Sequence, residues 1–149
     1  MMTQGCEYQI KEIKSEQSAY TSVELHLIDI AGQNIFKEIT FDLLCKANQV
    51  VLVYDVTNPD SFHLLRQWYE GIKQQNQGRQ LSGVVIANKT DLGDRSMVNA
   101  QDGRGFAHSI GFEFFECSAM QGKGVEDPFK ALARMFQDRF EERVQQLGA

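Results

Sequence analysis

Val23-Glu24-Leu25-His26-Leu27-Ile28-Asp29-Ile30-Ala31-Gly32-Gln33 is a mostly apolar run that closes on an aspartate and passes into Ala-Gly-Gln. The run reads as a buried strand. In an α/β protein, ligands bind beyond the carboxyl ends of the strands, which is where Asp29 would stand. A carboxylate there can hold Mg²⁺, usually through water. Gly32 lets the backbone approach a ligand closely, and the neutral amide of Gln33 can orient a water molecule. The plain alternative is a core strand followed by an ordinary turn, since D-x-x-G by itself is a common pattern. The flanking sequence has to decide between the two.

Downstream, strand-like and helix-like segments alternate. Val50-Val51-Leu52-Val53-Tyr54 is continuously apolar, as a strand buried on both faces must be. Asn58-Pro59-Asp60 marks a turn and a helix cap. Phe62, Leu65, Trp68, Tyr69 and Ile72 then fall on one helical face. Val84-Val85-Ile86-Ala87 is a second buried strand, running into Asn88-Lys89-Thr90-Asp91. A helix is expected over 99–110 with Phe106 and Ile110 inward and a stop at Gly111. Gly103 and Gly105 lie inside it and each costs about 1 kcal/mol, which predicts a weak or late start. Phe112, Phe114 and Phe115 make the last strand, and Asp127-Pro128 opens a final helix with a buried stripe of Phe129, Leu132, Phe136, Phe140 and Val144. Upstream, Cys6, Tyr8 and Ile10 alternate with polar residues as in a half-exposed edge strand. A polar hairpin loop from Lys14 to Ser22 follows, and Ile35 to Leu44 suits a short, irregular helix. This alternation implies a mostly parallel sheet covered by helices on both faces.

Composition agrees. The 149 residues suffice for one domain, 1–149, with a sizeable core. A net charge of −5 argues against a general nucleic-acid partner. Cys6, Cys45 and Cys117 are odd in number and form no C-x-x-C, so free thiols in a reducing, cytoplasmic compartment are expected. The sequence opens on polar Met1-Met2-Thr3-Gln4 and ends without a prenylation cysteine, so neither a signal peptide nor a lipid anchor is expected.

Asn88-Lys89-Thr90-Asp91 directly after a buried strand is the sharpest signal. Guanine offers N1–H and N2–H donors side by side, and the Asp91 carboxylate can accept both. Adenine lacks that pair and would leave the carboxylate unsatisfied. Asn88 can meet the acceptor edge of the base or brace neighbouring loops, and the alkyl stem of Lys89 can lie over the base face. After the last strand, Ser118-Ala119 is small enough to bring a backbone N–H to the base oxygen. Taken singly, each segment reads equally well as a polar turn; their order on one strand–helix frame does not.

These motifs, D-x-x-G-Q at Asp29, Gly32 and Gln33, N-K-x-D at Asn88, Lys89 and Asp91, and S-A at Ser118 and Ala119, resemble those of a Ras-superfamily small GTPase. Tyr54-Asp55-Val56-Thr57-Asn58 and Thr3-Gln4-Gly5-Cys6-Glu7-Tyr8 are similar to segments of the Rab group. The hairpin before Val23-Glu24-Leu25 and the Leu81-Ser82-Gly83-Val84 approach to N-K-T-D-L resemble the Rab-like GTPase of intraflagellar transport. Ile28 and Asn34 depart from mainstream Rabs, which carry a Trp and an acid there. The resemblance implies a Ras-like P-loop NTPase fold of α/β class, with GTP or GDP and Mg²⁺ as cofactors. It makes Gln33 the catalytic, water-orienting residue and gives Thr3 and Asp29 to the metal. Gly32 falls to the γ-phosphate, and Asn88, Lys89, Asp91, Ser118 and Ala119 to guanine. It further implies partners in a transport complex, a heterodimer among the options, and a cytoplasmic location extending to the cilium or flagellum.

One departure is large. The family opens with a strand, a G-x-x-x-x-G-K-[ST] loop and a helix. The single Gly-Lys pair, Gly122-Lys123, has Cys117 rather than Gly five residues ahead and Gly124 rather than Ser or Thr behind. The expectation is an incomplete domain lacking the first strand, P-loop and first helix, with little or no GTPase activity by itself. The rival is a non-enzymatic interaction module of the same fold. The strands that would flank the missing one, ending at Asp29 and starting at Val50, are then expected to pair with each other or with another chain.

Overall fold

The computed structural model describes residues 6–14, 22–31, 47–76 and 81–148. Thr3, Gly32, Gln33, Cys45, the stretch from Ile35 to Leu44 and the tip of the hairpin expected between Lys14 and Ser22 lie outside the described residues. The chain falls into two compact units, one of residues Met1–Thr40 with Phe129–Ala149 and one of Phe41–Pro128.

In the first unit, β1 (Cys6–Lys14) and β2 (Ser22–Ile30) pair antiparallel, with Cys6 opposite Ile30 and Lys14 opposite Ser22. β2 ends one residue past Asp29. It is half-buried rather than buried: Leu25 is covered, Val23 and Leu27 partly so, and Glu24, His26 and Ile28 on the other face are exposed. Successive side chains of a strand point to opposite faces, so a continuous apolar run shows only that both faces tolerate burial. The same pleat corrects the expectation for β1. Cys6, Tyr8 and Ile10 share the face of Ile28 and His26, and Tyr8 and Ile10 are more than half exposed. On that face the Tyr8 hydroxyl meets His26 Nδ1, and His26 Nε2 lies 2.7 Å from Glu24 Oε1.

The second unit carries a parallel sheet in the order β3 (Val50–Asp55), β4 (Gly83–Asn88), β5 (Glu113–Glu116). Central β4 is buried from Gly83 to Ala87, as its sequence predicts. β3 alternates instead: Val50, Leu52 and Tyr54 are buried, while Val53 is exposed. Among the described residues the strands form two ladders, β1–β2 in the first unit and β3–β4–β5 in the second.

Helix α1 (Pro59–Gln75) starts where the turn signal places it. The Asn58 side chain accepts from the Asp60 N–H at 3.0 Å, and Pro59 occupies the first turn, where its missing N–H costs nothing. Its Phe62, Leu65 and Ile72 join Val50, Leu52, Tyr54, Val85, Phe106 and Phe112 in one core, with Trp68 and Tyr69 packed against it. Helix α2 (Ala100–Ser109) is capped by Asn99, whose side chain accepts from the Gln101 N–H at 2.9 Å. It does not start late. Gly103 is there because of packing: a Cβ on it would sit 2.2 Å from the Tyr54 hydroxyl oxygen and 2.8 Å from a Phe114 ring carbon. Gly111, at φ 73°, ends the segment as expected.

Helix α3 (Asp127–Leu147) begins at the Asp-Pro pair. Its apolar stripe is buried only near the start. Ala131, Leu132 and Ala133 are covered, whereas Phe136, Phe140 and Val144 are exposed, the two rings stacked on each other at 6.5 Å. Periodicity marked the stripe correctly but not how far along it burial extends.

Candidate guanine-reading site

Parallel pairing puts Asp55 and Asn88 side by side at the carboxyl ends of β3 and β4. The ladder runs one bond further on each side, from Val56 N–H to Asn88 O (3.1 Å) and from Cys117 N–H to Ala87 O (2.8 Å). Three chain segments therefore leave the sheet at one level: 55–58, 88–91 and 117–119.

The chain turns sharply there. Lys89 adopts φ 67°, the one non-glycine positive φ among the described residues. A left-handed conformation is costly for a residue with a Cβ and persists where its surroundings impose it. Those surroundings are visible. Asn88 Oδ1 accepts from the Lys89 N–H at 2.8 Å and from the Ala119 N–H at 3.1 Å. Thr90 bonds the Cys117 carbonyl twice, from its N–H (3.2 Å) and its hydroxyl (3.0 Å). Asn88 Oδ1 thus ties the turn after β4 to the turn after β5.

Thr90–Arg95 forms a 3₁₀ segment kinked at Leu92 and carries Asp91 in its first turn. The Ser118 hydroxyl, fully buried, donates to Asp91 Oδ1 at 2.5 Å and accepts from the Gln121 N–H at 3.1 Å. A carboxylate has about four lone-pair positions, so Asp91 keeps acceptor capacity on both oxygens while Oδ1 is tethered to Ser118. Ser118, read from the sequence only as a small residue, is the group that sets the carboxylate. The turn beyond it closes by a reciprocal backbone pair, Ser118 to Lys123, and by the Cys117 thiol donating to the Gly124 carbonyl at 2.8 Å. Burial, with a smaller contribution from Asp127, pushes that thiol's pKa up and keeps it an inert donor.

Asp55 and Thr57, from the Rab-like Tyr54-Asp55-Val56-Thr57-Asn58 segment, complete the cluster. Lys89 Nζ lies 2.6 Å from Asp55 Oδ2, and Asp55 Oδ1 accepts from Thr57 N–H (2.9 Å) and Thr57 Oγ1 (2.7 Å). Burial by itself would raise the Asp55 pKa. The Lys89 ammonium and the two Thr57 donors outweigh it and hold the carboxyl below its usual value. In the sequence Asp55 and Thr57 stood only within the Rab-like Tyr54-Asp55-Val56-Thr57-Asn58 segment, with no role assigned to either.

A family model of the Ras family matches residues 1–138. The chain belongs to the Ras family. This Ras-family chain is 36% identical over 144 residues to the intraflagellar transport protein 27 homolog of Homo sapiens, covering 97% of the chain and 77% of that relative. It is 27% identical over 147 residues to the protein of the same name from Trypanosoma brucei brucei, covering 99% and 78%. It is also 34% identical over 132 residues to the mouse Ras-related protein Rab-17, covering 89% and 60%. It is thus a Rab-like member with a Ras-like α/β fold.

Of the residues assigned from sequence, Asn88, Lys89, Asp91, Ser118 and Ala119 come together in the second unit. Asp29 stands in the first unit, exposed on β2 and opposite Glu7. Thr3, the other residue assigned to the metal, lies outside the described residues, and among the described residues no group of three or more His, Cys, Asp or Glu that could hold a metal ion occurs. The donor set of the second unit, a carboxylate at Asp91 with the Ala119 N–H near it, suits the base half of a guanine nucleotide.

Proposed function

We propose that this chain is a guanine-nucleotide-binding GTPase of Rab type that serves in intraflagellar transport, and that Asn88, Lys89, Asp91, Ser118 and Ala119 form its base-reading site. The observation that carries this reading is the Asp91 carboxylate, tethered by the buried Ser118 hydroxyl beside a turn locked by Asn88. A carboxylate accepts two parallel N–H donors, which guanine has and adenine lacks. In this reading Ala119 N–H, bonded to Asn88 in the present structure, is shared with or passed to the base oxygen. By the family resemblance, Gln33 would orient the attacking water, Gly32 would serve the γ-phosphate, and Thr3 and Asp29 would hold Mg²⁺, which would neutralise phosphate charge. The transport role, partners within a transport complex and a ciliary or flagellar location rest on the names of the relatives, among them the intraflagellar transport protein 27 homologs.

A second reading is a GTPase-like interaction module without nucleotide chemistry. A coding sequence with no strand and G-x-x-x-x-G-K-[ST] stretch ahead of Met1 would favour it, and one that carries them would favour the GTPase. Phosphate recognition in P-loop proteins rests on several charge-assisted bonds of about 1.5–3 kcal/mol each. Without four or five of them the 149-residue polypeptide loses on the order of 10 kcal/mol of nucleotide affinity. Titration with a fluorescent GDP analogue tests this. Weak, guanine-selective binding is expected. Sub-micromolar binding competed by both GDP and GTP would contradict the phosphate part of the account.

A further inference from the structure

Lys89 poses a physical problem for base recognition. Its ammonium sits on a flexible four-carbon stem and is strongly hydrated, so an unanchored Lys89 would not lie along any one line. The structure anchors it at both ends. At the backbone, the Asn88 side chain holds the Lys89 N–H in the left-handed turn. At the far end, Asp55 Oδ2 holds Nζ at 2.6 Å. Asp55 is itself aimed. Both Thr57 donors bind Oδ1, which leaves Oδ2 for the ammonium. The backbone around it is closed, with the Asp55 N–H donating to Ser61 Oγ at 3.0 Å and the Asp55 carbonyl accepting from the Asn58 N–H at 3.0 Å. Parallel register places the carboxylate beside the strand that delivers Lys89.

We propose that Asp55, oriented by Thr57, is a positioning residue of the base site: it pins the Lys89 ammonium so that the lysine stem presents a fixed apolar edge to the purine. The proposal rests on the base-reading function proposed above. Asp55 does not touch the nucleotide and acts through Lys89, so it contributes to guanine binding only while Lys89 carries its charge. An Asp55 that merely capped the 55–58 turn would contribute equally whatever stands at position 89.

The test is a double-mutant cycle on the full 149-residue chain with guanosine as the probe, followed by NMR shift titration. The variants are Asp55→Asn, Lys89→Met and the pair together. Lys89→Met keeps an apolar stem and removes the ammonium. Asp55→Asn is expected to weaken guanosine binding about three- to tenfold in the parent, the loss of one charge-assisted bond in part, and to change it little in the Lys89→Met background. Asp55→Glu, which keeps the charge, should recover part of the loss. A second readout needs no ligand: the Asp55 side-chain carboxyl, followed by carbon NMR against pH, should titrate higher in Lys89→Met than in the parent. Equal weakening in both backgrounds, no weakening in either, or an Asp55 titration indifferent to Lys89 would overturn the proposal while leaving the base site standing. A parent chain with no guanosine preference over adenosine would overturn the base-reading function itself, and this proposal with it.

Discussion

At Tyr54 a core side chain carries a polar atom that its surroundings do not satisfy. The residue is 2% exposed, and its hydroxyl has no hydrogen-bond partner among the described residues. Burial, then the charges of Glu116 and Asp102, push its pKa up to about 12. A buried hydroxyl without a partner costs about 1–3 kcal/mol, so Tyr54→Phe should stabilise the protein by about 1 kcal/mol in urea unfolding. The sign of the pH effect follows from linkage. The folded pKa lies above the unfolded value of 10.0, so this group's contribution is whole below pH 10 and is lost as pH rises through about 12. Tyr54→Phe should flatten that alkaline fall. Gly103→Ala, which drives a methyl group into the same hydroxyl, should cost about 1–3 kcal/mol, and less in the Tyr54→Phe background. Equal cost in both backgrounds would show that Phe114, not Tyr54, is what Gly103 makes room for. The clustering of Asn88, Lys89, Asp91, Ser118 and Ala119 was legible because each motif is local and contiguous on one strand–helix frame. The pairing of Asp55 with Lys89 was not, because it depends on which strand lies beside β3.

Among the elements, α1 was legible throughout, since its cap, its proline and its 3.6-residue apolar spacing all act within the helix. The start of α2 was misread because helix propensity weighs Gly103 as a cost, while the packing of Tyr54 and Phe114 makes it a requirement. β2, β3 and α3 share one error. An apolar pattern reports which face can be buried, and burial itself depends on what packs there. Central β4 is covered on both faces, but β3 and β2 are not. In α3 this difference is measurable. Leu132→Ala should destabilise by about 2–5 kcal/mol, whereas Phe140→Ser, at a ring 58% exposed, should stay within about 0.5 kcal/mol. Comparable drops in melting temperature would show that the outer stripe is buried in solution.

At the scale of the whole molecule, the parallel sheet brings three loop segments to one level, and the proposed function has them read a guanine base. Its most exacting element is the Asp91 carboxylate, because an amide of the same shape offers one acceptor and one donor where guanine presents two donors. The decisive measurement is therefore an NMR shift titration of the 149-residue chain with guanosine and with adenosine, in the parent and in Asp91→Asn. The parent is predicted to respond at Asn88, Asp91 and Ala119 to guanosine in preference to adenosine, and the variant to show no such preference. An equal preference for guanosine in both proteins would contradict the account.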